Sequence, residues 1–413
     1  MSESVSKDFR VSTLDNGLTL AVIESRHVPI VTTVLWFRVG AAADAESEAG
    51  TAHFLEHMMF KGSAKFGAGE IDRLTQSLGG SNNAFTGHDS TAYHFQFAAD
   101  RWPRALEMEA DRMAGLLLDP RDFENERQVI VEEIAMYESE PWDALEARVQ
   151  KALFAGHPYG RPVLGTREEL LAMTPETLGS FHSSHYRPGN AVLVVAGDVG
   201  SEVEELVARS FGSLPSAEGC AQETDPVAFP EARKRLEVRR GELPRLLFSL
   251  PAPPCSHPDH PHLRLLLHWL SVGRSSLLHR TLVEEEQLCA WISADLSDSS
   301  EPGSLSFSLE LPGTDPELVE KRLFELLDEA RKAAPTVSDL QRAKQLYRAD
   351  WVFAHEHIYQ RALMAASSIA HHDAAFPERY RREVLDCSAD DVGDVATRYL
   401  DLDRGVVGWS LPS

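Results

Sequence analysis

The sequence predicts an α+β protein of two related domains, each a mostly antiparallel sheet packed with helices. Three observations lead there. At 413 residues the chain is too long for one ordinary core. Runs of β-branched and aromatic residues alternate with helical patterns in both halves. The two halves also end alike. Thr174…Tyr186-Arg187-Pro188-Gly189-Asn190-Ala191-Val192-Leu193-Val194 is echoed by Ser388…Tyr399-Leu400-Asp401-Leu402-Asp403-Arg404-Gly405-Val406-Val407, 213 residues later (399 − 186). Each reads as helix, Tyr, turn and buried strand, the mark of an internal duplication.

In order along the chain, residues 11–25 read as two short strands about the turn Asp15-Asn16-Gly17. Residues 30–39 are β-branched and aromatic, a strand. A small, acidic loop, 40–50, leads into a short helix bracketed by Gly50 and Gly62. Residues 69–78 form a second helix, broken by Gly79-Gly80. Residues 84–86 and 91–97 pair as a hairpin. Helices are expected at 102–118 and 122–138, the latter opening on acidic residues that suit a helix N-terminus. After a Pro/Gly-punctuated loop, residues 167–186 supply two helices, 190–196 a buried strand and 202–211 a helix. The Pro/Gly/Ser/Glu-rich stretch after that reads as a linker. The second half gives strands at 246–250, 290–296 and 304–311, and helices at 263–270, 316–334 and 337–353. The expected division is a first domain at 1–214, a linker at 215–235 and a second domain at 236–413.

The composition is that of an ordinary globular protein, 43% hydrophobic and 25% charged. A net charge of −24 argues against nucleic acid and anionic membrane surfaces as partners and leans toward basic peptides. No apolar run approaches the ~20 residues a bilayer span needs. Cys220, Cys255, Cys289 and Cys387 show no spacing pattern, and the N-terminus lacks an apolar leader, so a cytoplasmic location is expected.

The chemistry concentrates in Thr51-Ala52-His53-Phe54-Leu55-Glu56-His57-Met58-Met59-Phe60-Lys61-Gly62. On a helix, His53 and His57 share a face one turn apart, so two imidazoles can grip one metal ion. Glu56 beside them can take a proton from a metal-bound water. Seventeen histidines make a chance match conceivable, but Phe54, Leu55, Met58 and Phe60 place these polar groups on an otherwise core-facing helix. Further on, Glu126 and Glu133 lie seven apart and so on one helix face. Glu133 is a candidate third ligand and Glu126 a candidate supporting carboxylate. Spacing alone does not separate them from Glu124, Glu132, Glu138 and Glu140. The run Cys255-x-His257-x-x-His260-x-His262 matches no zinc spacing, and His371-His372-Asp373 reads as a solvated helix end.

These motifs resemble the pitrilysin and mitochondrial-processing-peptidase family, the inverzincins. The matching pieces are Leu14-Asp15-Asn16-Gly17-Leu18, the His53–Gly62 motif, Gly79-Gly80 and Asn83-Ala84-Phe85-Thr86. Glu126-Arg127-Gln128-Val129-Ile130-Val131-Glu132-Glu133-Ile134, His157-Pro158-Tyr159-Gly160 and Tyr186-Arg187-Pro188-Gly189-Asn190 match as well. The family's ligand glutamate lies 76 residues past the second histidine, which here selects Glu133 (133 − 57). The resemblance thus implies one zinc held by His53, His57 and Glu133. Glu56 would be the catalytic base, Glu126 its support in the catalytic set, and Asn83, Ala84, Phe85 and Thr86 a strand on which an extended peptide docks. Active single-chain members carry an Arg and a Tyr in a second-half stretch resembling Arg-Glu-Lys-x-Gly-Leu-Ala-Tyr. Here Val283 and Ala290 stand at those places, or Glu284 and Trp291 in a register slipped by one. Family members of this length pair up to close a chamber. The expectation is therefore a zinc endopeptidase subunit with a homologous partner, as heterodimer or homodimer. The competing readings are a non-catalytic assembly subunit or a peptide-binding subunit of the same fold.

Overall fold

A computed structural model describes residues 9–216 and 226–412. Strands β1 (Phe9–Thr13) and β2 (Thr19–Glu24) form the first hairpin, with Gly17 at a φ of +94° in its turn, and β3 (Ile30–Phe37) follows. Next come α1 (Thr51–Met58), α2 (Glu70–Ser77), β4 (Ser81–Thr86) and β5 (Thr91–Ala98). Helices α3 (Pro103–Gly115), α4 (Pro120–Ser139) and α5 (Pro141–Leu153) run on from there. Helices α6 (Arg167–Ala172) and α7 (Pro175–His185), each capped by a threonine hydroxyl (Thr166, Thr174), lead to β6 (Ala191–Gly197) and α8 (Val203–Phe211).

The later elements begin with β7 (Lys234–Arg239), β8 (Arg245–Ala252) and α9 (His260–Leu270). A π-helical stretch, His279–Glu285, precedes β9 (Trp291–Leu296) and β10 (Gly303–Glu310). Then follow α10 (Pro316–Lys332), α11 (Val337–Glu356), α12 (Ile358–His371), α13 (Phe376–Asp386), α14 (Ala389–Tyr399) and β11 (Val406–Leu411).

Two sheets carry the fold. One has the order β1-β2-β6-β3-β5-β4, the other β7-β11-β8-β10-β9. Every described neighbour pair is antiparallel except β2 with β6 and β11 with β7. Laid over one another, β2-β6-β3-β5-β4 and β7-β11-β8-β10-β9 have the same order and the same single parallel pair. The Tyr186 and Tyr399 echo falls just before β6 and β11. The α+β duplication read from the sequence is therefore the architecture observed.

Contacts divide the chain into two compact units. Residues 9–134, 162–216 and 354–377 form the first; 135–161, 226–353 and 378–412 form the second. Each unit takes in a helix from the far half of the sequence. Helix α12 packs on β3 and β6 of the first unit, burying Ala362, Ala365, Ala366 and Ile369 against Val34, Trp36, Val192 and Val194. Helix α5 packs on β11, β8 and β7 of the second. Gly408 on β11 lets it come close: a Cβ there would meet Val149 Cγ2 at 2.5 Å. Residues 217–225 of the expected linker, with Cys220, lie outside the described residues, and β7 already begins at Lys234.

One local expectation is corrected. His371 is not a solvated helix end. Its Nε2 lies 2.6 Å from Ser90 Oγ and its ring packs edge-on to Trp36, because α12 is pressed onto the sheet. Among the described residues no helix is long and apolar enough to cross a membrane.

Candidate metal centre

The site lies in the first unit, where α1 meets α4. Helix α1 starts cleanly because Gly50 takes the left-handed conformation, at a φ of +96°. Asp44 accepts from the Gly50 and Ala52 backbone N–H groups at 2.8 and 3.0 Å. Those bonds satisfy donors that would otherwise be orphaned at a buried helix start. Phe54 and Phe123 stack at 4.5 Å between centroids, joining α1 to α4 within the core.

On that scaffold His53, His57 and Glu133 converge. Each offers a donor atom, and the donors lie within 4.8 Å of one another. His53 Nε2 is 3.9 Å and His57 Nε2 3.5 Å from Glu133 Oε2. The two rings sit 4.7 Å apart, edge to face. His57 Nδ1 lies 3.0 Å from Glu126 Oε1, and Lys61 Nζ 2.6 Å from Glu126 Oε2. Of the nearby glutamates, the packing of α4 thus selects Glu133 and Glu126. Neighbouring Glu124 and Glu132 are exposed.

Electrostatics separate the roles. Burial, with the neighbouring His57, drives His53 down to about 3, so it stays neutral and able to ligate. Burial also disfavours charge on His57, but the hydrogen bond to Glu126 and the charges of Glu56, Glu126 and Glu133 outweigh it and raise it. Glu56, on the same turn, turns toward β4 and accepts from Thr86 Oγ1 at 2.7 Å. Burial pushes its carboxyl up, while the Thr86 hydroxyl and His57 pull it down. A carboxylate held apart from the ligand cluster, with some proton affinity, has the properties of a general base.

Among the described residues, strand β4 is the last in its sheet and one of its edges is unpaired. Its side chains alternate. Ala84 and Thr86 lie opposite Tyr93 and Thr91, on the α1 face. Asn83 and Phe85 lie opposite His94 and Ala92, on the face that carries Trp36 and α12; Phe85 packs on Trp36 at 5.4 Å. The four residues expected to bind substrate therefore divide two and two.

Three contributors escaped the sequence reading: Asp44 under the helix start, Thr86 as partner of Glu56, and Lys61. The fourfold spacing of His53, His57 and Lys61 was the available signal for the last.

Among the described residues the second unit holds two other clusters, Cys255 with His260 and Asp298, and His262 with Cys387 and Asp391. Both His260 nitrogens are engaged, Nδ1 with Tyr380 OH at 2.7 Å and Nε2 with Ser297 O at 3.1 Å, and Arg264 occupies Asp298. Asp391 caps α14 through Ser388. In the stretch that corresponds to the family's Arg–Tyr pattern, Gln287 adopts a φ of +53°. Glycine stands at that place in the resembling pattern, as such a turn favours. That register puts Val283 and Ala290 at the two positions.

Comparison with known proteins places both halves of the chain in one family. Two models of one family match in succession: insulinase (peptidase family M16) over residues 19–167 and the peptidase M16 inactive domain over 172–347. A Helicobacter pylori protein named zinc protease PqqE is 29% identical over 396 residues, covering 94% of this chain and 89% of that one. An uncharacterized zinc protease of Mycobacterium leprae is 40% identical over 210 residues, so the match spans about half of each, 49% and 46%. The crystal structure of a protease from Helicobacter pylori superposes with a TM-score of 0.92 at 26% identity, covering 98% and 99% of the two chains. With both halves matched in order and the whole fold reproduced, the chain belongs to peptidase family M16, the insulinase family.

Proposed function

We propose that this chain is the zinc-bearing, catalytic subunit of an endopeptidase that cleaves peptides bound as an extended strand, and that a homologous partner completes the site. The observation that carries the proposal is the convergence of His53, His57 and Glu133 beside a carboxylate outside that cluster, Glu56, which Thr86 holds.

The residues fit a zinc ion. Nitrogen and oxygen ligands ~2.0–2.2 Å from a tetrahedral ion lie about 3.3–3.6 Å apart, close to the 3.5 and 3.9 Å found here. With Nδ1 of His57 given to Glu126, its Nε2 is left for the ion. Bound zinc would polarise the scissile carbonyl and acidify a water in its open position. Glu56 takes the proton from the attacking water and returns it to the leaving amine, and Thr86 fixes the carboxylate for both transfers. The open edge of β4 supplies main-chain hydrogen bonds to a peptide, which holds its carbonyl in register. The side chains of Val283 and Ala290 offer no donor to an oxyanion, so the missing Arg and Tyr come from the partner.

The test measures zinc content and peptide cleavage, with and without a homologous chain that carries the Arg and Tyr. One zinc per chain is expected, and cleavage only with the partner. Glu56→Gln should keep the metal and lose about 10²–10⁴-fold in rate. Absent stoichiometric zinc, or a Glu56→Gln variant as active as the native chain, would overturn the proposal. Full activity without the partner would remove the partner clause alone.

A further inference from the structure

We infer that Lys61 is a positioning residue for the metal site: acting through Glu126, it holds His57 with Nε2 aimed at the ion. The inference rests on the zinc reading above. Helix α1 and the turn after it present His53, His57 and Lys61 at successive intervals of four, and the Lys61 N–H donates to Met58 O at 2.9 Å, which prolongs the turn. Helix α4 presents Glu133 and Glu126. The contacts form rungs that ascend one helix as they descend the other. His53 and His57 both face Glu133, at 3.9 and 3.5 Å; His57 and Lys61 both face Glu126, at 3.0 and 2.6 Å.

Glu126 is the hinge of this ladder. Each of its oxygens has one partner, Oε1 the His57 ring and Oε2 the Lys61 ammonium. The terminal torsion of a glutamate is broad, so a carboxylate gripped at one oxygen swings and the imidazole it steers swings with it. Gripping the second oxygen fixes the carboxylate plane. It then accepts from Nδ1–H of His57 in one geometry, which sets the tautomer that leaves Nε2 bare. The Glu126 side chain is only 9% exposed and Lys61 33%, so Lys61 brings its charge from the solvent side to a carboxylate that is otherwise buried with His57 alone.

The other histidine offers no substitute for this support. Among the described residues His53 Nδ1 is buried without a hydrogen-bond partner, and its ring is held by packing. Orientation by hydrogen bonding therefore enters the ligand set through His57, and Lys61 is the outer end of that line. A mere surface ion pair would leave the metal indifferent to its loss.

The experiment uses the full chain with Lys61→Met and Lys61→Arg. Zinc affinity is measured by chelator competition, and the His57 ring nitrogens by NMR of the zinc-loaded, ¹⁵N-histidine-labelled protein. Lys61→Met should weaken zinc about tenfold, within the range seen for outer partners of metal-bound histidines. It should also shift or broaden the His57 nitrogen signals while those of His53 stay put. Lys61→Arg, which keeps the charge and donor, should restore affinity to within about threefold. Native zinc affinity and unchanged His57 signals in Lys61→Met, with the native chain binding zinc normally, would overturn this inference and leave the zinc reading standing. A native chain that does not bind zinc would overturn both.

Discussion

Replacing Arg112 by Met is expected to destabilise the first unit by about 4 kcal/mol. Arg112 lies on α3 at 1% exposure. Its Nε and Nη2 both donate to Glu109 Oε2 at 2.7 Å, and Glu109 is wholly buried. The guanidinium stacks over Tyr93 at 4.2 Å, with Phe60 at 5.1 Å and Phe95 at 5.5 Å. Breaking a buried pair by removing one partner costs about 3–5 kcal/mol, and a desolvated cation–π contact adds about 2. Burial already pushes the Glu109 carboxyl up, so it can take a proton once alone, which trims the loss. Removing both charges is a different matter. The pair is imperfect, with Glu109 Oε1 and Arg112 Nη1 lacking partners among the described residues. Adding Glu109→Leu should therefore recover most of the stability, leaving about 1–2 kcal/mol lost. Native-state hydrogen exchange of β5 and α3 amides reads this unit separately from the other. A single variant within about 1 kcal/mol of native, or a double variant no better than the single, would refute the reasoning.

Two further predictions concern pH. Thr86→Val removes the hydrogen bond that holds the Glu56 carboxyl down, leaving burial to push it higher. The acidic limb of the pH–rate profile should then move to higher pH, with a rate loss of about fivefold at neutrality and a greater one below it; Thr86→Ser should keep the native profile. The second concerns the metal-free protein. Burial lowers His182 to about 4, as it does His53, to about 3. A histidine depressed in the folded state binds fewer protons there than in the unfolded chain, so its stability is present above pH 6.5 and lost as pH falls toward 4. For His182 that amounts to about 3 kcal/mol. Its ring stacks on Tyr186, so His182→Phe should flatten the decline of the first unit's exchange stability between pH 6.5 and 4. An unchanged slope in that variant would exclude the assignment.

The sequence alone determined the α+β duplication, the helix that bears His53, Glu56 and His57, and its glycine brackets. Those features are local. Helical spacing puts two imidazoles on one face, β-branched runs make strands, and a Tyr-turn-strand pattern repeats wherever the same supersecondary unit repeats. The resemblance then singled out Glu133, but its meeting with the histidines came from the packing of α4 on α1 through Phe54 and Phe123. Several other features were settled only in three dimensions. Helix α12 carries its apolar residues Ile358, Ala362, Ala365, Ala366 and Ile369 at helical spacing, but that this stripe fills the groove along β3 and β6 is decided only by the tertiary structure. Strand β7, Lys-Arg-Leu-Glu-Val-Arg, is too polar to announce itself and pairs in parallel with β11 alone at the sheet's end. The division of residues 83–86 between two faces, the grip of Thr86 on Glu56 and the reach of Lys61 to Glu126 join positions 30 to 65 residues apart. Periodicity describes which way a side chain leaves its own element. What it meets is fixed by close packing between elements, which no window along the chain contains.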